Sequence, residues 1–96
     1  MIVAVVRFRL PDGMSAETAK QMFEASVPRY EVLPGLMRKH YLLGDGYGGG
    51  VYLWDNLDNA KALYEGDMWR SSIRERFGAE PELSYYDSPV TIDKMG

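Results

Sequence analysis

The sequence contains no cysteine. That excludes disulfides, thiolate metal sites and cysteine nucleophiles together. It also fits a reducing compartment, so the cytoplasm is the expected location. There is a single histidine, His40. With no thiol to join it, a transition-metal site built from protein ligands alone is not expected. No apolar run approaches the ~20 residues of a membrane helix. The opening segment MIVAVVRFRL starts apolar, but no basic stretch precedes it and no small-residue cleavage site follows, so it reads as a strand of the mature protein. Clustered cations are missing as well: 11 Lys and Arg are scattered against 14 Asp and Glu, for a net charge of −3. No nucleic-acid partner is expected, because neutralising phosphates requires a basic stripe.

What is present is apolar and aromatic. Hydrophobic residues fill 46% of the 96 positions, enough for one core, and the length suits one domain over 1–96. Residues 2–10 predict a strand with Ile2, Ala4, Val6, Phe8 and Leu10 on one face, ended by a Pro11-Asp12-Gly13 turn. Ser15 is placed to cap a helix on which Ala19, Met22, Phe23, Ser26, Val27 and Tyr30 recur at helical spacing. Pro28 predicts an end or a kink there. Residues 36–43 predict a second strand, Gly44 to Gly50 a seven-residue glycine-rich turn, and 51–54 a third strand. Asp55, Asn56 or Asp58 can cap a second helix, which Gly66 interrupts and Asp67 restarts, with Gly78 as its C′ residue. Residues 82–87 predict a fourth strand, and 88–93 a tail able to pair with the sheet edge of a partner copy. The order β-α-β-β-α-β predicts an α+β, ferredoxin-like fold, a four-stranded antiparallel sheet with two helices on one face.

Two helices cover one face of a sheet, yet this sheet is apolar on both. Val3 and Val5 lie opposite Val6 and Phe8; Met37, Tyr41 and Leu43 lie opposite Leu36 and Leu42; Tyr52 and Trp54 lie opposite Val51 and Leu53; Tyr86 lies opposite Tyr85. A sheet with one wet face alternates cleanly between apolar and polar. The second face needs a cover that the chain does not supply, and a second copy of the chain is the economical one, so a homodimer is expected.

Three segments carry a resemblance: LPGLMRKHYLL at 33–43, GGGVYLW at 48–54 and ERFGAEPELSYYDSPVTID at 75–93. With the element order they span nearly the whole chain, and the sequence resembles the dimeric α/β-barrel superfamily, within it the small monooxygenase branch. The resemblance implies a ferredoxin-like protomer, two sheets facing each other in a dimeric barrel, and a pocket between sheet and helices. It also implies an oxygenase needing neither metal nor flavin, so no cofactor is expected. Fold alone does not decide function.

Candidate chemistry begins with His40, which a regular strand would place beside Leu36, Arg38 and Leu42. In a pocket its imidazole could take a proton from a phenol or enol; outside one it is a hydrogen-bonded or partly exposed strand histidine. Arg38 points to the same side of a regular strand, where it could stabilise an enolate, or simply decorate the surface. Tyr52, Trp54, Trp69, Tyr64 and Phe23 suit the walls of a pocket for a flat aromatic substrate, and equally suit core packing. Gly44-Asp45-Gly46-Tyr47-Gly48-Gly49 matches G-x-G-x-x-G in letters, but a strand follows it rather than a helix, so no dinucleotide site is read there.

The expected function is a cofactor-independent monooxygenase acting on a small phenolic or quinol-like aromatic, with molecular oxygen as the second substrate. His40 and Arg38 would be catalytic and the five aromatics would bind substrate. The alternatives are a non-enzymatic small-ligand-binding or stress-response dimer, a haem-handling protein with His40 as axial ligand, and a proton-moving lactone isomerase.

Overall fold

The computed structural model describes residues 1–95. Seven elements follow in order: β1 (Ile2–Arg9), α1 (Ala16–Glu31), β2 (Leu36–Gly44), β3 (Tyr47–Trp54), α2 (Leu57–Tyr64), α3 (Asp67–Phe77) and β4 (Glu82–Asp87). The strands form one antiparallel sheet in the order β2-β3-β1-β4. This is the ferredoxin-like α+β arrangement, with the second helical segment in two pieces.

Local chemistry sets the boundaries. The Ser15 Oγ accepts the Thr18 N–H at 3.1 Å and starts α1. The Asn56 Oδ1 accepts the Asn59 N–H at 2.9 Å and starts α2. Gly66 separates α2 from α3, and Gly78 ends α3 in the left-handed region at φ 72°.

Two expectations are corrected. Pro28 does not end α1, which runs on to Glu31. Its missing donor falls in the last turns, on an exposed side of the helix, where the Glu24 carbonyl can turn to water. The glycine-rich stretch is not a seven-residue turn. Only Asp45 and Gly46 turn, both at positive φ (53° and 79°), a two-residue type I′ hairpin, and β3 already begins at Tyr47. Gly48, Gly49 and Gly50 are strand residues selected for close approach. A Cβ on Gly49 would run into the Val6 carbonyl, and one on Gly48 would meet Phe23 at 3.0 Å.

The core lies between the helices and one face of the sheet. Ala4, Val6 and Phe8 alternate along β1, Tyr52 and Trp54 along β3, and Phe23, Ala60, Ile73 and Phe77 come down from the helices. The other face has no helix: Val3, Val5, Val51 and Leu53 are half-buried on it, and Tyr86 is 58% exposed.

A bulge in β2 governs what faces what. Leu36 pairs with Trp54, but the next pair is Arg38 with Leu53, so Met37 is an extra residue. Beyond it Lys39 lies opposite Tyr52 and Tyr41 opposite Gly50, on the core side. Arg38, His40 and Leu42 lie opposite Leu53, Val51 and Gly49, on the helix-free side. The expectation that Leu36 shares a face with Arg38, His40 and Leu42 is thereby corrected: one inserted residue inverts the alternation.

Candidate functional site

Lys39 points from the middle of β2 toward α1. Its Nζ lies 3.3 Å from the centre of the Tyr30 ring, 3.8 Å from Tyr41 and 4.6 Å from Tyr52. The α1 periodicity supplies Tyr30, the bulged register supplies Tyr41, and β3 supplies Tyr52. Tyr41 stacks on Phe23 at 5.3 Å and meets Tyr30 edge-on at 6.3 Å. Hydrogen bonds fix the cage. The buried Ser26 hydroxyl donates to the Phe23 carbonyl at 2.7 Å, so in its 2.8 Å contact with Tyr41 it is the acceptor and the phenol the donor. Trp69 Nε1 donates to the Tyr30 hydroxyl at 3.2 Å.

Two cavities meet at this cage. An outer cleft of about 350 Å³ runs between α1 and the β2 edge, with Val27, Leu36, Met37 and Arg38 on its walls. That volume suits a small ligand. An inner space of about 40 Å³, reaching Phe23, Ser26, Tyr52 and Phe77, has room for a water molecule and little more. Tyr30, Lys39 and Tyr41 line both.

The electrostatics of the cage divide its members. Burial, and then the nearby Arg29 guanidinium, push the Lys39 amine down to about 6 from an ordinary lysine's 10.5. Among the described residues it belongs to no ion pair. The three ring faces act in the opposite sense and favour the ammonium. The phenols move the other way. Burial raises Tyr41, against the pull of the Ser26 hydrogen bond, and raises Tyr52 well above the usual tyrosine value. Tyr41 and Tyr52 therefore keep their protons at neutral pH, while burial favours the neutral, proton-accepting form of the lysine. When the lysine takes a proton, the cation forms against three π faces already in place.

The expected site residues fall into three groups. Phe23 and Tyr52 line the inner space beside Lys39. Trp54, Tyr64 and Trp69 line neither cavity; they form an aromatic chain through the core, in which Trp54 Nε1 donates to the Tyr64 hydroxyl at 3.1 Å and Trp69 meets Tyr64 edge-on at 4.8 Å. Arg38 reaches the rim of the outer cleft from the bulge, whereas His40 is exposed on the helix-free face. The structure does not bring His40 to the cage. Lys39, Tyr30 and Ser26 were not anticipated as site residues. Their signal is the two-residue spacing of Lys39 and Tyr41, which puts both on one face once the bulge is known.

No protein-family model matches the chain, and no curated protein matches it in sequence. Solved structures do match in fold. NE2512, a protein of unknown function from Nitrosomonas europaea, superposes with a TM-score of 0.76 at 14% identity, covering 99% of this chain and 95% of that one. SnoaB, a cofactor-independent oxygenase from Streptomyces nogalater, gives 0.70 at 14% identity over 97% of both chains. A monooxygenase from the gene ActVA-Orf6 of Streptomyces coelicolor, solved with Nanaomycin D, gives 0.66 at 16% identity over 95% of this chain and 89% of that one. The chain therefore has the fold of the small ferredoxin-like proteins that its sequence resembles.

Proposed function

We propose that the chain is a cofactor-independent monooxygenase acting on a small phenolic or quinol-like aromatic. The observation that carries this reading is an amine able to be neutral near pH 7, caged by Tyr30, Tyr41 and Tyr52 at the floor of a ligand-sized cleft. Two proteins of the same fold are oxygenases. The substrate ring lies in the outer cleft against Tyr30 and Tyr41. The Lys39 Nζ takes the phenolic or benzylic proton, and Arg38 at the rim faces the resulting oxyanion. The electron-rich carbanion then reacts with molecular oxygen. A ring CH2 becomes a carbonyl, one oxygen atom is retained, the other leaves as water, and the substrate supplies all the electrons.

His40 is the rival proton acceptor. On the helix-free face it serves a ligand held between two facing sheets, and so requires a dimer. A second copy covering Val3, Val5, Val51 and Leu53 supplies that arrangement and shields an apolar face. The test is oxygen uptake by metal-stripped, flavin-free protein with hydroquinones, anthrones and naphthols, repeated with Lys39→Met and His40→Gln. Uptake lost in the first variant and kept in the second supports the cage. The opposite pattern moves the chemistry to the dimer interior. No uptake by the parent protein across the panel removes the oxygenase reading and leaves a ligand-binding dimer.

A further inference from the structure

We propose that Lys39 is also a carbonyl-reactive amine: its Nζ, held under three tyrosine rings where the outer cleft meets the inner space, condenses with an aldehyde or ketone group on a small aromatic compound to form a reversible imine. This activity is separate from oxygenation and needs no oxygen.

The geometry supplies each requirement. The cleft of about 350 Å³ brings a ring-bearing ligand to the amine, and Tyr30 and Tyr41 give it flat apolar walls. The nitrogen is held by ring faces, with no carboxylate paired to it among the described residues, so no counter-charge locks it in the protonated form. The Tyr30 hydroxyl accepts from the Trp69 indole, which fixes that ring over the amine.

The step balances without a redox partner. The nitrogen attacks the carbonyl carbon to give a carbinolamine. The carbon–oxygen bond then breaks, and that oxygen leaves as water with the two amine hydrogens. An amine in a desolvated pocket beside another cation is the known way to make lysine nucleophilic near neutrality. Here burial and Arg29 do this. The other charged or titratable groups around the amine are Tyr30 and Glu31 on α1, Arg38 and Tyr41 on β2, Tyr52 on β3 and Arg76 on α3. The remaining lysines, Lys20, Lys61 and Lys94, are exposed and serve as internal references.

The experiment is borohydride trapping of the full chain with 4-hydroxybenzaldehyde under nitrogen at about pH 7.5, followed by peptide mapping. The expected result is one hydroxybenzyl group per chain on Lys39, enriched at least about tenfold over any other lysine and over the N-terminus. 4-Hydroxybenzyl alcohol, which has no carbonyl, competes, and a folded Lys39→Met variant loses the labelling. Labelling spread over Lys20, Lys61, Lys94 and the N-terminus without enrichment at Lys39 overturns the proposal, as does no labelling at all. Because oxygen is absent, the result is read independently of oxygen uptake.

Discussion

The Lys39 Nζ sits 3.3 Å from the centre of the Tyr30 ring, closer than to any other aromatic in the chain. β2 thus presses a basic side chain onto the last turns of α1, where a hydrophobic residue would pack at less cost. Burying an amine without a counter-charge is destabilising.

Replacing Lys39 with Met keeps an unbranched stem and removes the nitrogen. The folded chain titrates this amine near 6, against 10.5 for an ordinary lysine. Between those values the unfolded chain binds the extra proton, so this group makes stability rise with pH across that window. Below it both states are charged and the full burial cost is present; above it neither is. Lys39→Met is expected to be more stable at neutral pH by about 1–3 kcal/mol. It should also lose that pH slope. Urea unfolding at about pH 6, 8 and 10 checks both. An unchanged slope would show that the ammonium is not buried.

Tyr64→Phe removes the acceptor of the Trp54 indole, the largest fully buried side chain in the core. An indole N–H left unpaired there costs about 1–3 kcal/mol. Trp54→Phe with Tyr64→Phe should cost less than the sum of the two single changes, as a double-mutant cycle by denaturation would show.

Gly49→Ala places a methyl group against the Val6 carbonyl. Backbone cannot yield as a side chain can, so a loss of about 1–3 kcal/mol is expected. Gly46→Ala tests a different property: nothing crowds its Cβ, and only its positive φ of 79° resists the change. Its loss should be the smaller one, near 1 kcal/mol.

Val51→Glu puts a carboxylate in the middle of the helix-free face, between Val5 and His40. The protomer fold should survive, because that side chain does not enter the core. If a second copy covers this face, sedimentation velocity will show the parent as a dimer and the variant as a monomer. An identical sedimentation coefficient for both would place the partner surface elsewhere.

The order of elements, the faces of β1, the caps at Ser15 and Gly78 and the break at Gly66 were all legible in the sequence, because each rests on local chemistry or plain alternation. The site was less legible. His40 and Arg38 drew attention as residue types, and a regular strand would have aimed them at the helices. The inserted residue at Met37 is invisible to a period of two, since no glycine or proline marks it. Lys39 drew no attention, because its burial depends on Tyr30 and Tyr52, which come from other elements. The glycines of β3 misled too: they read as part of a turn, whereas contact with Val6, Phe8 and Phe23 requires the absence of a Cβ.

The β2 bulge has a further consequence. The run Arg38-Lys39-His40-Tyr41 holds two complete sets of proton-handling groups, interleaved one residue apart. With the bulge, lysine and tyrosine face the helices and histidine faces away, while arginine, on that same far side but next to the bulge, reaches only the cleft rim. Were the strand to slip by one residue and absorb Met37 into regular pairing, the two sets would trade places while every backbone pairing partner stayed available. The chemistry offered to the cleft is therefore a choice of register. A lineage could exchange a lysine centre for an imidazole centre by altering where the strand buckles, without replacing either side chain.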